Sequence, residues 1–347
     1  METSRLSSSD TEICNFSNRS RFLHSVMRHS LILLALVSSG WMASAGPIPL
    51  ARISPAATWT AHLDVDALQR TPLGAAIVRQ FLVPMVEGFS GQMPAPLVAQ
   101  LDFSKLHGIT LFGTRLQENP EKGAALLIHS DLPLQAAMDA FMALNPVKEG
   151  AADKAGPGQL RKLVGQGGGA TYVLNREIFA SFASSNCLVI GASQQVVDEA
   201  LASTGASQAQ KVPSALVKSL TQKDQGFLVL GLAEGFTRGM KLPPQAEILS
   251  QTEGMQLHLS AVGEELIAKL SLKAKAVEVA SQIQQSLQGF AALASLVLPQ
   301  QASLQAMMKG MRVAKQDRSV EVQLGYPMRD VLDQLQSLAP RKSAQKE

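Results

Sequence analysis

Short runs in which apolar and polar residues alternate recur along this chain, and each group of runs is followed by a segment with helical period. That order leaves few folds open. Strands close together in sequence pair as antiparallel neighbours, and the helices between groups must cover a sheet face. The clearest run is Thr58 to Asp66, where Trp59, Ala61, Leu63 and Val65 share one face and Thr58, Thr60, His62, Asp64 and Asp66 the other. Period two predicts a half-buried strand with its apolar set inward and its polar row in solvent. Thr71 and Pro72 then offer an N-cap followed by proline at the first helical position. Leu73, Ile77, Val78, Phe81 and Leu82 form one apolar stripe, which predicts a helix over about 72–83.

The same grammar continues downstream. Residues 107–114 and 123–130 read as a hairpin joined by the polar turn Gln117 to Glu121, and Asp131 caps a helix starting near Pro133. Asn145 to Gln159 has no period and reads as an exposed loop. Strands are expected at 160–165, 170–174, 178–183 and 187–191, followed by a helix at 193–203 and a linker at 207–213. The order then repeats: strand 226–233, helix 243–251, strands 254–262 and 265–274, a long helix 276–298, strands 310–316 and 319–325, helix 327–338 and a charged tail, 340–347. Leu188 to Leu201 lies over Val322 to Leu335 without gaps, with Gly191 matching Gly325. The expected fold is α+β. It consists of two similar halves, 58–206 and 214–339, each a largely antiparallel sheet with helices packed on one face.

The N-terminus carries an address. Arg28 and His29 precede the apolar run Leu31 to Val37, and Ala43-Ser44-Ala45 supplies the small residues of a signal-peptidase site cut before Gly46. The uncharged stretch from Ser30 to Ala45 falls short of the roughly 18–20 apolar residues that span a bilayer. Met27 stands just before this segment, so residues 1–26 read as an over-extended frame or a long basic lead-in. No cysteine follows the apolar run, which leaves no site for acylation. Cleavage leaves a Pro/Ala-rich segment at 46–57, a nearly neutral mature chain and Cys187 as its one cysteine. The expected location is periplasmic or extracellular, with no stable membrane span and no disulfide within the chain.

Composition excludes several functions. A net charge of +3 in 347 residues gives no electrostatic basis for nucleic-acid capture, and 46% hydrophobic residues with 17% charged ones do not fit disorder. His62, Asp64 and Asp66 at alternate positions of one strand are the candidate metal ligands, although such a row is also what a solvent-facing strand displays. His107, His129 and His258 have no His or Cys within a helical turn. Gly165 to Ala170 lacks the following helix that a phosphate-cradling loop needs, and no nucleophile elbow or Walker lysine is present, so neither a cofactor nor a catalytic set is expected. In the long helix, Val279, Ile283, Leu287 and Phe290 oppose a row of glutamines. The polar face is then lost from Phe290 to Leu298, and Met307, Met308 and Met311 follow, a pattern that a helix end inserted between the two halves also produces. Phe290, Ala294, Leu298 and these methionines are the candidate apolar contact surface, for a second copy in a homodimer or an apolar ligand.

Two stretches, Leu63 to Leu68 followed by Thr71-Pro72-Leu73-Gly74, and Asp102 to Gly113, resemble segments of uncharacterised exported bacterial proteins assigned to domains of unknown function. The resemblance implies an envelope location and the α+β build, and it transfers no catalytic or binding residue. The expectation is therefore a non-enzymatic exported protein acting through its surface by binding or structural interaction. The alternatives are a carrier of an apolar ligand or lipid using residues 290–311, and a hydrolase with dispersed carboxylates.

Overall fold

The computed structural model describes residues 53–82, 102–114, 116, 122–144, 160–164, 170–174, 177–204, 227–237, 244–297 and 310–338. The leader with Ala43, Ala45 and Gly46, the turn 117–121, the loop 145–159, most of the Gly-rich turn, the linker 207–213 and the tail lie outside the described residues.

The described residues fold as α+β around one large antiparallel sheet of twelve strands. The first seven are β1 (Trp59–Asp64), β2 (Leu106–Gly113), β3 (Ala124–Ser130), β4 (Leu160–Val164), β5 (Ala170–Leu174), β6 (Ile178–Ser184) and β7 (Cys187–Gly191). The remaining five are β8 (Val229–Glu234), β9 (Thr252–Val262), β10 (Glu265–Ala274), β11 (Arg312–Gln316) and β12 (Ser319–Pro327). Their order across the sheet is β11-β12-β10-β9-β8-β1-β2-β3-β7-β6-β5-β4, with β1 and β8 paired antiparallel at the centre. Among the described residues six α-helices accompany them: α1 (Val65–Gln69), α2 (Pro72–Ile77), α3 (Leu134–Leu144), α4 (Gln194–Thr204), α5 (Val277–Val297) and α6 (Met328–Leu338). A π-turn, Val78–Leu82, continues α2, and short 3₁₀ segments cover Phe103–Lys105 and Pro244–Gln251.

Tight turns set the register where the strands are longest. Val262 faces Glu265 across a two-residue turn in which Gly263 takes φ +63°, the left-handed position that the twist of a hairpin requires. In the next hairpin Asp317 takes φ 51° between Gln316 and Ser319, a conformation that a short polar side chain tolerates.

Helices cover both faces, which corrects the expectation of a single covered face. Leu127 and Val189 are fully buried and pack with Val197 and Ala200 of α4. The alternating residues Ile128 and Leu188 point the other way, to Leu134, Met138 and Met142 of α3. On that second face α5 buries Ala280 and Ile283 against Leu272 and Val320. Helices that follow successive strands can lie on either side, because a one-residue difference in where a strand ends reverses the side from which the chain leaves.

Candidate functional site

β1 is bounded by β2 on one side and β8 on the other, and it inverts the simple reading of its own pattern. Thr60, His62 and Asp64, expected in solvent, are buried at 3%, 3% and 0% exposure, whereas Ala61 and Leu63 are only half-buried. The polar row is tolerated because each member has an internal partner. Thr60 donates its hydroxyl to the Leu111 carbonyl at 3.1 Å, and His62 Nδ1 shares a hydrogen bond with Thr110 Oγ1 at 2.8 Å. Asp64 ends the strand and caps α1, accepting from the Ala67 amide at 2.8 Å. Burial, and then the charge of His129, hold the His62 imidazole far below its usual range, at about 3. The ring stacks edge-on against Phe227, 6.0 Å between centroids.

Asp66 belongs to the first turn of α1 and leaves this row altogether. Its carboxylate receives His107 Nδ1 at 3.0 and 3.2 Å, and His107 Nε2 meets Asp131 at 3.1 Å. His62, Asp64 and Asp66 therefore do not converge, and among the described residues no group of three or more His, Cys, Asp or Glu side chains is arranged to hold a metal. The Asp66–His107–Asp131 cluster does not serve as a metal site either. Its carboxylates sit on opposite nitrogens of the ring, so no one ion can be bound by all three. With both nitrogens engaged, His107 has no free lone pair for general-base work.

A further polar anchor lies under α3. Tyr172 is fully buried, yet its hydroxyl reaches Asp139 at 2.8 Å, and Lys162 Nζ meets the same oxygen at 2.7 Å. The lysine hydrogen bond and then the tyrosine one hold the Asp139 carboxyl below its ordinary range. We expect Tyr172→Phe to cost about 1 kcal/mol in urea unfolding, the net value of one hydrogen bond. An unchanged midpoint would show that the hydroxyl is satisfied equally well in the unfolded chain.

The helix that sequence singled out behaves differently at its two ends. The first half of α5 packs on β10, β12 and the 3₁₀ segment, with Val279 and Leu287 beside the buried Ala280 and Ile283. Beyond Leu287 large apolar side chains come to the surface: Phe290 is 47% exposed and Leu293 59%. No charged residue occurs from Ser281 to Val297, and Gln282, Gln285, Gln288, Gly289 and Ala292 are all exposed. Ala294 lies in the same helix, and Met311 is half-buried just before β11. Leu298, Met307 and Met308 fall outside the described residues. No helix among the described residues is long and apolar enough to cross a membrane.

No family model matches the chain, and no curated protein matches it significantly. Among solved structures, it is similar to TP0453 in its crystal form III, 12% identical with a TM-score of 0.43 over 84% of this chain and 99% of that one. Crystal form I of the same protein gives 13% identity and a TM-score of 0.41, covering 86% of this chain and all of the other.

Proposed function

We propose that this chain is an exported, non-enzymatic component of the cell envelope that acts by binding, through the distal half of α5. The observation that carries the reading is the exposure of Phe290 and Leu293 on a helix face with no charge from Ser281 onward. Exposed helices ordinarily carry charge on their outer face, and the cores of protein interfaces are depleted in charge and enriched in aromatic residues. The occupant this surface fits is a second copy of the chain. Two identical faces bring like charges together wherever they carry any, and this one carries none, while its glutamine amides can pair with one another. The leader with its Ala45/Gly46 cut supports export, as read from sequence.

Sedimentation of the processed chain across a concentration series tests the reading. Wild type is expected to dimerise, and Phe290→Ser with Leu293→Ser to weaken association by at least about tenfold, since two apolar anchors are lost. A chain that is monomeric throughout overturns it.

A second reading, carriage of an apolar ligand, draws on the sheet face between α3 and α5. Its middle strands present Ala61, Leu63, Ile109, Leu111, Leu126 and Leu257, all half-buried, and the buried Trp59 indole N–H has no hydrogen-bond partner. Lipid retained in native mass spectra would favour this reading over self-association.

Two similar halves, 58–206 and 214–339, are part of the proposal. Outward from the β1–β8 pair the strand order is β1-β2-β3-β7-β6-β5-β4 on one side and β8-β9-β10-β12-β11 on the other, so the first five strands of each side correspond and β5 and β4 extend the first. The segments that align in sequence, Leu188–Leu201 and Val322–Leu335, are the corresponding junctions of β7 with α4 and β12 with α6. This agreement supports descent by duplication.

A further inference from the structure

The ladder between β2 and β3 shifts register between Leu106 and Gly108: Leu106 faces Ser130 and Gly108 faces His129, which leaves His107 as the extra residue of a bulge. A bulged residue escapes the alternation of its strand, and its side chain is re-aimed. Here it is aimed between two carboxylates from different elements. The segments that carry them are tied to the chain around His107 by neighbouring bonds. Asp131 donates its backbone N–H to the Lys105 carbonyl at 2.9 Å, and Gln69 of α1 donates its amide to the carbonyls of Phe103 and Leu106.

A neutral imidazole has one N–H and can satisfy only one of these carboxylates. The other would then face a lone pair at hydrogen-bond distance. With Nδ1 on Asp66 and Nε2 on Asp131, the observed arrangement requires both nitrogens to be protonated. Among the other charged groups of these segments, Asp64 accepts from the Ala67 amide, Asp102 accepts from Ser104, and Lys105 and Arg70 are exposed.

We propose that Asp66, His107 and Asp131 form a pH-responsive clamp, in which the imidazolium ties α1 to the corner between β3 and α3 and loss of its proton releases one of the two carboxylates. The linkage has a definite sign. The hydrogen bond to Asp66, followed by that to Asp131, raises the His107 pKa above its ordinary 6.5. A raised folded-state pKa contributes stability that is fully present below the unfolded value and is lost as pH rises through the folded one. The clamp is closed below the ordinary histidine range and opens as pH rises through the raised value. Its reach exceeds the three residues, because α1 leads directly into α2, against which α6 of the second half packs.

Two measurements on the whole chain test this. In wild type, NMR titration of the His107 ring should give a midpoint above about 6.5, lowered in both Asp66→Asn and Asp131→Asn. Urea unfolding should show the stability advantage of wild type over His107→Gln shrinking roughly two- to fivefold in equilibrium constant between about pH 6 and 9, the scale of a half-exposed ion pair. A wild-type midpoint at or below the ordinary value, or an advantage that does not change with pH, overturns the clamp. The NMR arm stands on wild type alone should a variant fail to fold.

Discussion

Gly74→Ala is expected to destabilise the chain by about 3 kcal/mol or more, the upper range for overpacking a close contact. A Cβ built on Gly74 lies 2.0 Å from the Leu68 carbonyl oxygen and 2.6 Å from its carbon. Both are backbone atoms, so no flexible side chain can move aside. The same carbonyl is held by Thr71, whose hydroxyl donates to it at 2.7 Å while its Oγ1 caps the Gly74 amide at 2.9 Å. Any shift that relieved the clash would break this cap and displace Leu73, which is fully buried. Urea denaturation followed by far-ultraviolet circular dichroism measures the loss. A midpoint within error of wild type would mean that α1 and α2 are not packed as closely as described.

The second large effect is acid sensitivity set by His62. A histidine whose folded pKa is about 3, against 6.5 unfolded, binds its proton only on unfolding. Its contribution is present above the unfolded value and is lost as pH falls toward the folded one, at about 1.4 kcal/mol per pH unit. By about pH 4.5 wild type should have lost roughly 2.5 kcal/mol through this group, before most carboxylates begin to protonate. His62→Phe removes the titration. The variant starts from a lower stability because Thr110 loses its partner, so the diagnostic quantity is the slope of unfolding free energy between about pH 6.5 and 4.5. Equal slopes in the two proteins would place His62 in water. His107 does not confuse the comparison, since it is present in both proteins and its own effect has the opposite sign.

Much of the fold was legible before any tertiary information. The runs at 170–174, 187–191 and 265–274 are strands with the expected bounds, and the long amphipathic stretch forms α5 from Val277 to Val297. These elements are local: alternation and helical stripes are properties of consecutive residues, and turns such as Gly263 carry their own backbone requirement. The candidate site was legible only in part. Phe290 and its exposed helix face follow from the point at which α5 loses its polar side. The Asp66–His107–Asp131 cluster had no signal in spacing, because its members are brought together by a bulge, a helix start and a strand end.

β1 shows where local reasoning stops. Its alternation correctly placed Thr60, His62 and Asp64 on one face but assigned that face to water, since polarity alone decides exposure when a strand is considered by itself. In the folded chain Thr110, the Leu111 carbonyl and the Ala67 amide satisfy the three side chains, and a polar residue with a partner can be buried at little cost. Sequence by itself determined most of the strands and helices and which residues share a side of each, although Val65–Gln69, read in part as strand, is the helix α1. Only the tertiary structure decided which side is inside, where the helices dock and which charges meet, because those outcomes depend on partners supplied by residues far away along the chain.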